Sequence, residues 1–178
     1  MHTKHLLLSL AALALTATTA AAQNPVSDAA RNNWNSVKKN IKESAELMPE
    51  ENYNFKPTPD VRSFGEILAH VAGASYEFCA SAKNEKSPFA EDAFEKTAKT
   101  KAAIVKATND AIAYCDGAFT ALTDANASGM VPAAFDTANK TRRVSSLIGQ
   151  IGHDNEHYGN LVTYFRLKKL VPPSSRQR

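Results

Sequence analysis

The sequence predicts an all-α protein, a four-helix bundle, from three observations. Apolar residues recur at three- and four-residue spacing in four separate stretches. No stretch reads convincingly as a strand, and the proline-bearing or small polar segments fall between the helical stretches.

The chain begins MHTKHLLLSLAALALTATTAAA, residues 1–22. Lys4 and His5 precede an apolar run from Leu6 to Leu15, and small residues end at Ala20-Ala21-Ala22 before Gln23. That is the order of a secretory signal peptide. The apolar run is short for a membrane anchor, and no cysteine follows the cleavage point as a lipoprotein would require. Residues 23–178 are therefore expected to form one domain, periplasmic or secreted, with no stable membrane span after removal of the signal.

In the first helical stretch, VSDAARNNWNSVKKNIKESAELM, Ala30, Trp34, Val37, Ile41 and Met48 share a stripe, and Ser27 can cap the start. The following PEENYNFKPTPD holds Pro49, Pro57 and Pro59 and cannot continue the helix. It reads as a loop long enough to be suspected of function. The second helix opens on Ser63-Phe64-Gly65-Glu66, a capping box, and places Phe64, Ile67, Leu68, Val71, Ser75 and Phe78 inward. After NEKSPFAED a third helix is expected from about Phe94 to Leu122, its lysine-rich start a solvated face and Val105, Thr108, Ile112, Cys115, Phe119 and Leu122 its stripe. DANASGMVPAAFDTANK reads as a polar connection. The last helix is expected from about Thr141 to Lys168, with Leu147, Ile151, Tyr158, Leu161, Val162 and Phe165 inward and VPP as its stop.

Lys and Arg number 21 against 18 acids, and only Lys4 leaves with the signal. No basic stripe is visible, so no nucleic-acid partner is expected. Cys79 and Cys115 are the two cysteines, and in an exported protein they form either a bridge or a pair of buried thiols.

Chemistry concentrates in GHDNEHYGN, residues 152–160. His153 and His157 stand at i, i+4, on one face and one turn apart, so both imidazoles can reach a single ion. Such a pair alone is a weak signal. However, His2 and His5 belong to the signal, and the remaining histidine, His70, lies roughly 100° from the centre of its helix's apolar stripe, an offset shared by the pair. Side chains at such flanking positions enter the seam between packed helices, where three imidazoles can meet. Asn160 and Tyr164 share the histidine face. Asp154 turns toward the apolar side, where an unpaired carboxylate is costly, so it either orients a ligand histidine or pairs with an arginine.

Three histidines without a thiolate suit zinc, nickel, copper or iron as one divalent ion. Three protein ligands leave an open position for water or substrate, the pattern of a catalytic ion. A zincin protease would need His-Glu-x-x-His, whereas this chain has Asp154 at the base position, one methylene short.

MPEENYNFKPTPDVRSFGEILAHVAG and, much later, HDNEHYGNLVTYFRLKKLVPPSS together resemble the DinB-like superfamily of small metal-binding four-helix proteins, over most of residues 23–178. The resemblance implies up-down-down-up topology with a long crossover between the second and third helices. It also places the family's metal ligands at His70, His153 and His157. Lys169 stands where the family often has glycine after the last helix. Parallel second and third helices would bring Cys79 and Cys115 to the same end of the bundle, where a bridge is geometrically feasible. Family members of established activity are mainly transferases and an isomerase dependent on a low-molecular-weight thiol, and they act in the cytoplasm, so an exported member needs another nucleophile or another role.

The function expected is a metal-dependent hydrolase or transferase acting on a small-molecule substrate. Its open coordination position would face the loop around Tyr53 and Arg62, with Arg62 a candidate anion-binding group. The alternative is a non-catalytic metal- or ligand-binding bundle, stress-related or metal-handling; a homodimer is left open.

Overall fold

The computed structural model describes residues 24–176; the signal-peptide reading falls on residues outside this range. Four long helices carry the fold: α1 (Pro25–Leu47), α2 (Phe64–Lys83), α4 (Lys101–Ala121) and α6 (Arg143–Leu167). Short elements fill the connections: α3 (Ala93–Thr97), α5 (Asp124–Ala127), strands β1 (Met130–Ala133) and β2 (Asp136–Arg142), and α7 (Pro173–Arg176).

Contacts at the helix ends fix the topology. Lys101 at the start of α4 donates to the Glu46 and Met48 carbonyls at the end of α1, at 2.9 and 2.8 Å, so these helices are antiparallel. Tyr164 near the end of α6 donates to the Arg62 carbonyl just before α2, while Ser146 near the start of α6 donates to the Phe78 carbonyl at 3.0 Å; α2 and α6 are antiparallel too. Ile104 meets Gly65 where α4 and α2 both begin, so α2 and α4 run parallel. The bundle is up-down-down-up, with residues 84–100 crossing over between the parallel pair.

Each stripe closes on the centre. Trp34 stacks on Phe119 at 4.8 Å between ring centroids, and its indole nitrogen reaches Asp116 at 2.7 Å, satisfying the polar end of an otherwise buried ring. Phe64 meets Phe165 edge-on at 5.5 Å. The capping box at the start of α2 is formed in both directions: Ser63 Oγ accepts from the Glu66 amide at 3.2 Å, and Glu66 accepts from the Ser63 amide at 2.7 Å. Cys79 and Cys115 are fully buried and bridged, with Cα atoms 5.3 Å apart. Among the described residues no helix is long and apolar enough to cross a membrane.

Several expectations are corrected. Residues 130–142 form an antiparallel hairpin, not an irregular connection. Its stability comes from tertiary contacts: Val131 is buried, Phe135 packs edge-on against Phe78, and Ser81 Oγ donates to the Pro132 carbonyl at 2.6 Å. The expected third helix from Phe94 is two helices. Residues 98–100 break it, and Thr100 caps α4 by accepting from the Ala103 amide at 3.2 Å. Ser27 does not cap α1, which starts earlier at Pro25; its hydroxyl instead donates to Asp124 at 2.6 Å, tying α1 to α5. Helix α6 begins at Arg143, two residues after Thr141, because β2 runs through Arg142.

Lys169 has φ 59°, the left-handed conformation that glycine adopts without cost just after a helix. Lys169→Gly is therefore expected to raise stability by about 1 kcal/mol, read as a higher urea midpoint with an unchanged slope.

Candidate metal centre

The site is assembled from two antiparallel helices. His70 lies seven residues into α2, in register with His153 and His157 halfway along α6, so the seam between the helices receives all three rings. Ring centroids are 5.1 Å apart for His70 and His153, 4.9 Å for His70 and His157, and 4.5 Å for His153 and His157. One nitrogen from each ring can be chosen so that the three lie within 4.8 Å of one another. Nε2 of His70 and Nε2 of His153 are 3.1 Å apart.

These spacings suit a common ion. Metal–nitrogen bonds of about 2.0–2.1 Å at tetrahedral angles place donors about 3.3 Å apart, so the closest pair already matches. His70 is buried, with a Glu95 carboxylate oxygen 3.2 Å from its Nδ1 but not aligned as a hydrogen bond, and the Nδ1 of His157 is buried without a hydrogen-bond partner. An unpaired buried polar atom costs about 1–3 kcal/mol, and three clustered imidazoles compound that cost unless something shared offsets it. Burial first, then the neighbouring His153 and His70 and the Arg62 charge, pull the pKa of His157 down to about 4. His70 is lowered chiefly by burial, then by Arg62 and His153, against the raising influence of Glu95 and Glu91. Both imidazoles are thereby held neutral near pH 7, the form whose lone pair can bind a cation.

Asp154 is 1% exposed and stands behind His153, with Oδ1 3.4 Å from Nδ1. Its other oxygen accepts from Gln150 Nε2 at 2.9 Å, and the same amide donates to Ser75 Oγ at 2.8 Å, which in turn donates to the Val71 carbonyl at 2.7 Å. Among the described residues no arginine is paired with Asp154, and the ring beside its carboxylate is that of His153. Burial raises its pKa to about 6, with His153 and Gln150 opposing. Gln150, fully buried, was not singled out in the sequence, although a glutamine at i−4 from an inward aspartate is the pattern that would have found it.

The remaining expected site residues divide. Asn160, Tyr164 and Arg62 line, with His157, a groove of about 700 Å³ between the 57–62 loop and α6. Asn160 is exposed within it, whereas the Tyr164 hydroxyl is engaged by the Arg62 carbonyl. The Arg62 guanidinium is paired with Glu95 at 2.9 Å. Tyr53 does not face the site: it is buried, donates to the Ala45 carbonyl and packs against Phe64. Its two-sided fit to the core, invisible in a loop sequence rich in prolines, decides this. Phe78, 5.6 Å from His153, closes the site on the hairpin side. A second groove of about 670 Å³ lies between the end of α2, the crossover and the hairpin, but it presents no histidine or cysteine.

Residues 33–161 match the sequence profile of the DinB superfamily. The chain belongs to that superfamily. Solved structures agree on the fold. A DinB-like protein from Bacillus cereus ATCC 10987 superposes with a TM-score of 0.64 at 14% identity, over 82% of this chain and 95% of that one. A DinB-like protein from Bacillus subtilis gives 0.58 at 20% identity, over 82% and 92%. A mycothiol-dependent maleylpyruvate isomerase gives 0.61 at 13% identity, and there this DinB-superfamily chain spans 76% of its own length but 60% of the isomerase. No curated protein sequence matches the chain.

Proposed function

We propose that this DinB-superfamily protein is an exported, metal-dependent enzyme of hydrolase or transferase type, in which His70, His153 and His157 hold one divalent ion. The observation that carries the reading is the convergence of one nitrogen from each of three imidazoles within 4.8 Å of one another. Three neutral nitrogen donors suit zinc, nickel, copper or iron. Held by these three histidines, such an ion would supply Lewis-acid chemistry, lowering the pKa of water or polarising a substrate oxygen.

This chain's own residues would do the rest. His157 borders the groove, so a small molecule lying along Asn160 and Thr163 would reach the histidine cluster at His157. Phe78 and the hairpin shield the other side from water. Asp154, held by Gln150, orients His153. One protein containing this fold is a mycothiol-dependent maleylpyruvate isomerase, which is compatible with an enzymatic role. With Cys79 and Cys115 bridged, no thiol nucleophile comes from the described residues, and water or a substrate group must serve. The signal-like start of the sequence and the bridged cysteines support export.

A non-catalytic metal- or ligand-binding bundle is the second reading, favoured by one observation: Arg62, a cation in the groove lining, is paired with Glu95. Elemental analysis of the purified protein, followed by cobalt substitution, separates the readings. About one ion per chain, with a visible cobalt spectrum that changes on adding azide, is the expected result. One ion with no response to azide means a closed site and a binding module. No ion retained after equilibration with zinc, nickel, copper and iron overturns both metal readings.

A further inference from the structure

His70 differs from His153 in having no aspartate beside it in its own helix, yet it too meets a carboxylate, delivered by the crossover. The backbone of Glu91 lies directly on Gly73, one turn beyond His70, where any Cβ would collide with the Glu91 carbonyl. That close approach, available only to glycine, seats the crossover on α2. It also starts α3 beside the histidine. Glu95 Oε1 then lies 3.2 Å from His70 Nδ1, and Glu91 Oε1 3.6 Å. Arg62 grips both Glu95 oxygens, at 2.9 and 3.3 Å, and holds the carboxylate in place.

The two nitrogens of His70 thus face different groups. Nδ1 faces the crossover carboxylates, and Nε2 faces His153. A neutral imidazole carries its proton on one nitrogen and its lone pair on the other. We propose that Glu95 is a positioning residue of the centre: its carboxylate keeps the His70 proton on Nδ1, and so presents the Nε2 lone pair to the cluster. The contact is near but not aligned as a hydrogen bond, which leaves Nδ1 formally unpaired and makes Glu95 the group poised to pair with it. Glu95 is the better placed of the two glutamates, being closer, less exposed and braced by Arg62. The site then has one carboxylate behind each of two ligands: Asp154 for His153, from the same helix, and Glu95 for His70, from the crossover.

The affinity part of this inference rests on the metal reading; the tautomer part does not. The test uses the whole protein and the variants Glu95→Ala, Glu95→Gln and Arg62→Ala. In the metal-free protein, long-range nitrogen–proton correlation spectra report which nitrogen of His70 carries the proton. Wild type is expected to show the Nδ1–H form, Glu95→Ala a mixture, and Glu95→Gln, which keeps an acceptor oxygen, a smaller change. Zinc affinity, by competition with a chromophoric chelator, should fall about 10- to 100-fold in Glu95→Ala. Arg62→Ala removes the ion pair but leaves the carboxylate, so it should lose less than about threefold, within the range of an exposed pair. An unchanged His70 tautomer in Glu95→Ala would overturn the proposal, and so would an Arg62→Ala variant that keeps the His70 tautomer yet loses as much zinc affinity as Glu95→Ala, because Glu95 would then merely anchor α3. If wild type binds none of zinc, nickel, copper and iron, the proposed function fails, while the tautomer spectra still decide the role of Glu95.

Discussion

Replacing His157 with alanine is expected to reduce affinity for a divalent ion by more than about 100-fold, since loss of a supporting contact alone costs about 10- to 100-fold and this change removes a ligand. His70 and His153 would remain, 3.1 Å apart at Nε2, as a two-donor site that water must complete. Metal content after dialysis and chelator competition read the loss directly. A thermal measurement gives a second, independent sign. Wild type should gain about 2.7 kcal/mol at a zinc concentration 100-fold above its dissociation constant, or about 5–10 °C in midpoint for a domain of this size, and the variant should gain almost nothing. Without metal the variant should be scarcely less stable than wild type, because the ring it loses carries a buried nitrogen with no partner. Equal metal content in the two proteins would remove the centre as drawn.

Opening the Cys79–Cys115 bridge should have the larger effect on stability. The two residues are 36 apart in sequence, and closing a loop of that length in the unfolded chain is worth about 4 kcal/mol. The double variant Cys79→Ala, Cys115→Ala is therefore expected to melt about 8–16 °C lower than the oxidised protein. Alanine is the apt replacement because both positions are fully buried, and serine would leave hydroxyls to satisfy. The bridge clamps the ends of the parallel helices, opposite the end where Ser63 starts α2, so the loss should appear as global unfolding without a change in zinc affinity. Mass measurement of the unreduced wild type checks the premise: two free thiols would mean that no bridge exists to remove.

The stripes read from spacing, such as Trp34, Val37 and Ile41 on α1 or Leu147, Leu161 and Phe165 on α6, are buried because an apolar face at helical period has one way to leave water. The capping box at Ser63 was equally legible, being a bond between residues three apart. Residues whose partners are distant in sequence were not. Ser27 carries the signature of a cap, but Asp124 claims its hydroxyl. Phe94 to Leu122 has a continuous helical period, but a break at residues 98–100 with a cap at Thr100 divides it. Glu95 sits in what looked like a solvated charged run, and only the folded crossover turns it toward His70.

By itself the sequence determined four amphipathic helices, their breaks at proline-rich segments, and a histidine on the flank of one helix matched by a pair on the flank of another. Those are properties of residues a few positions apart, where periodicity and capping act. The tertiary structure alone decided that the three rings share one seam, that Asp154 meets Gln150 and His153, and that the hairpin and crossover wall the site. Contacts between residues far apart in the chain depend on how helices cross and how closely their backbones approach, and a local pattern carries no record of either.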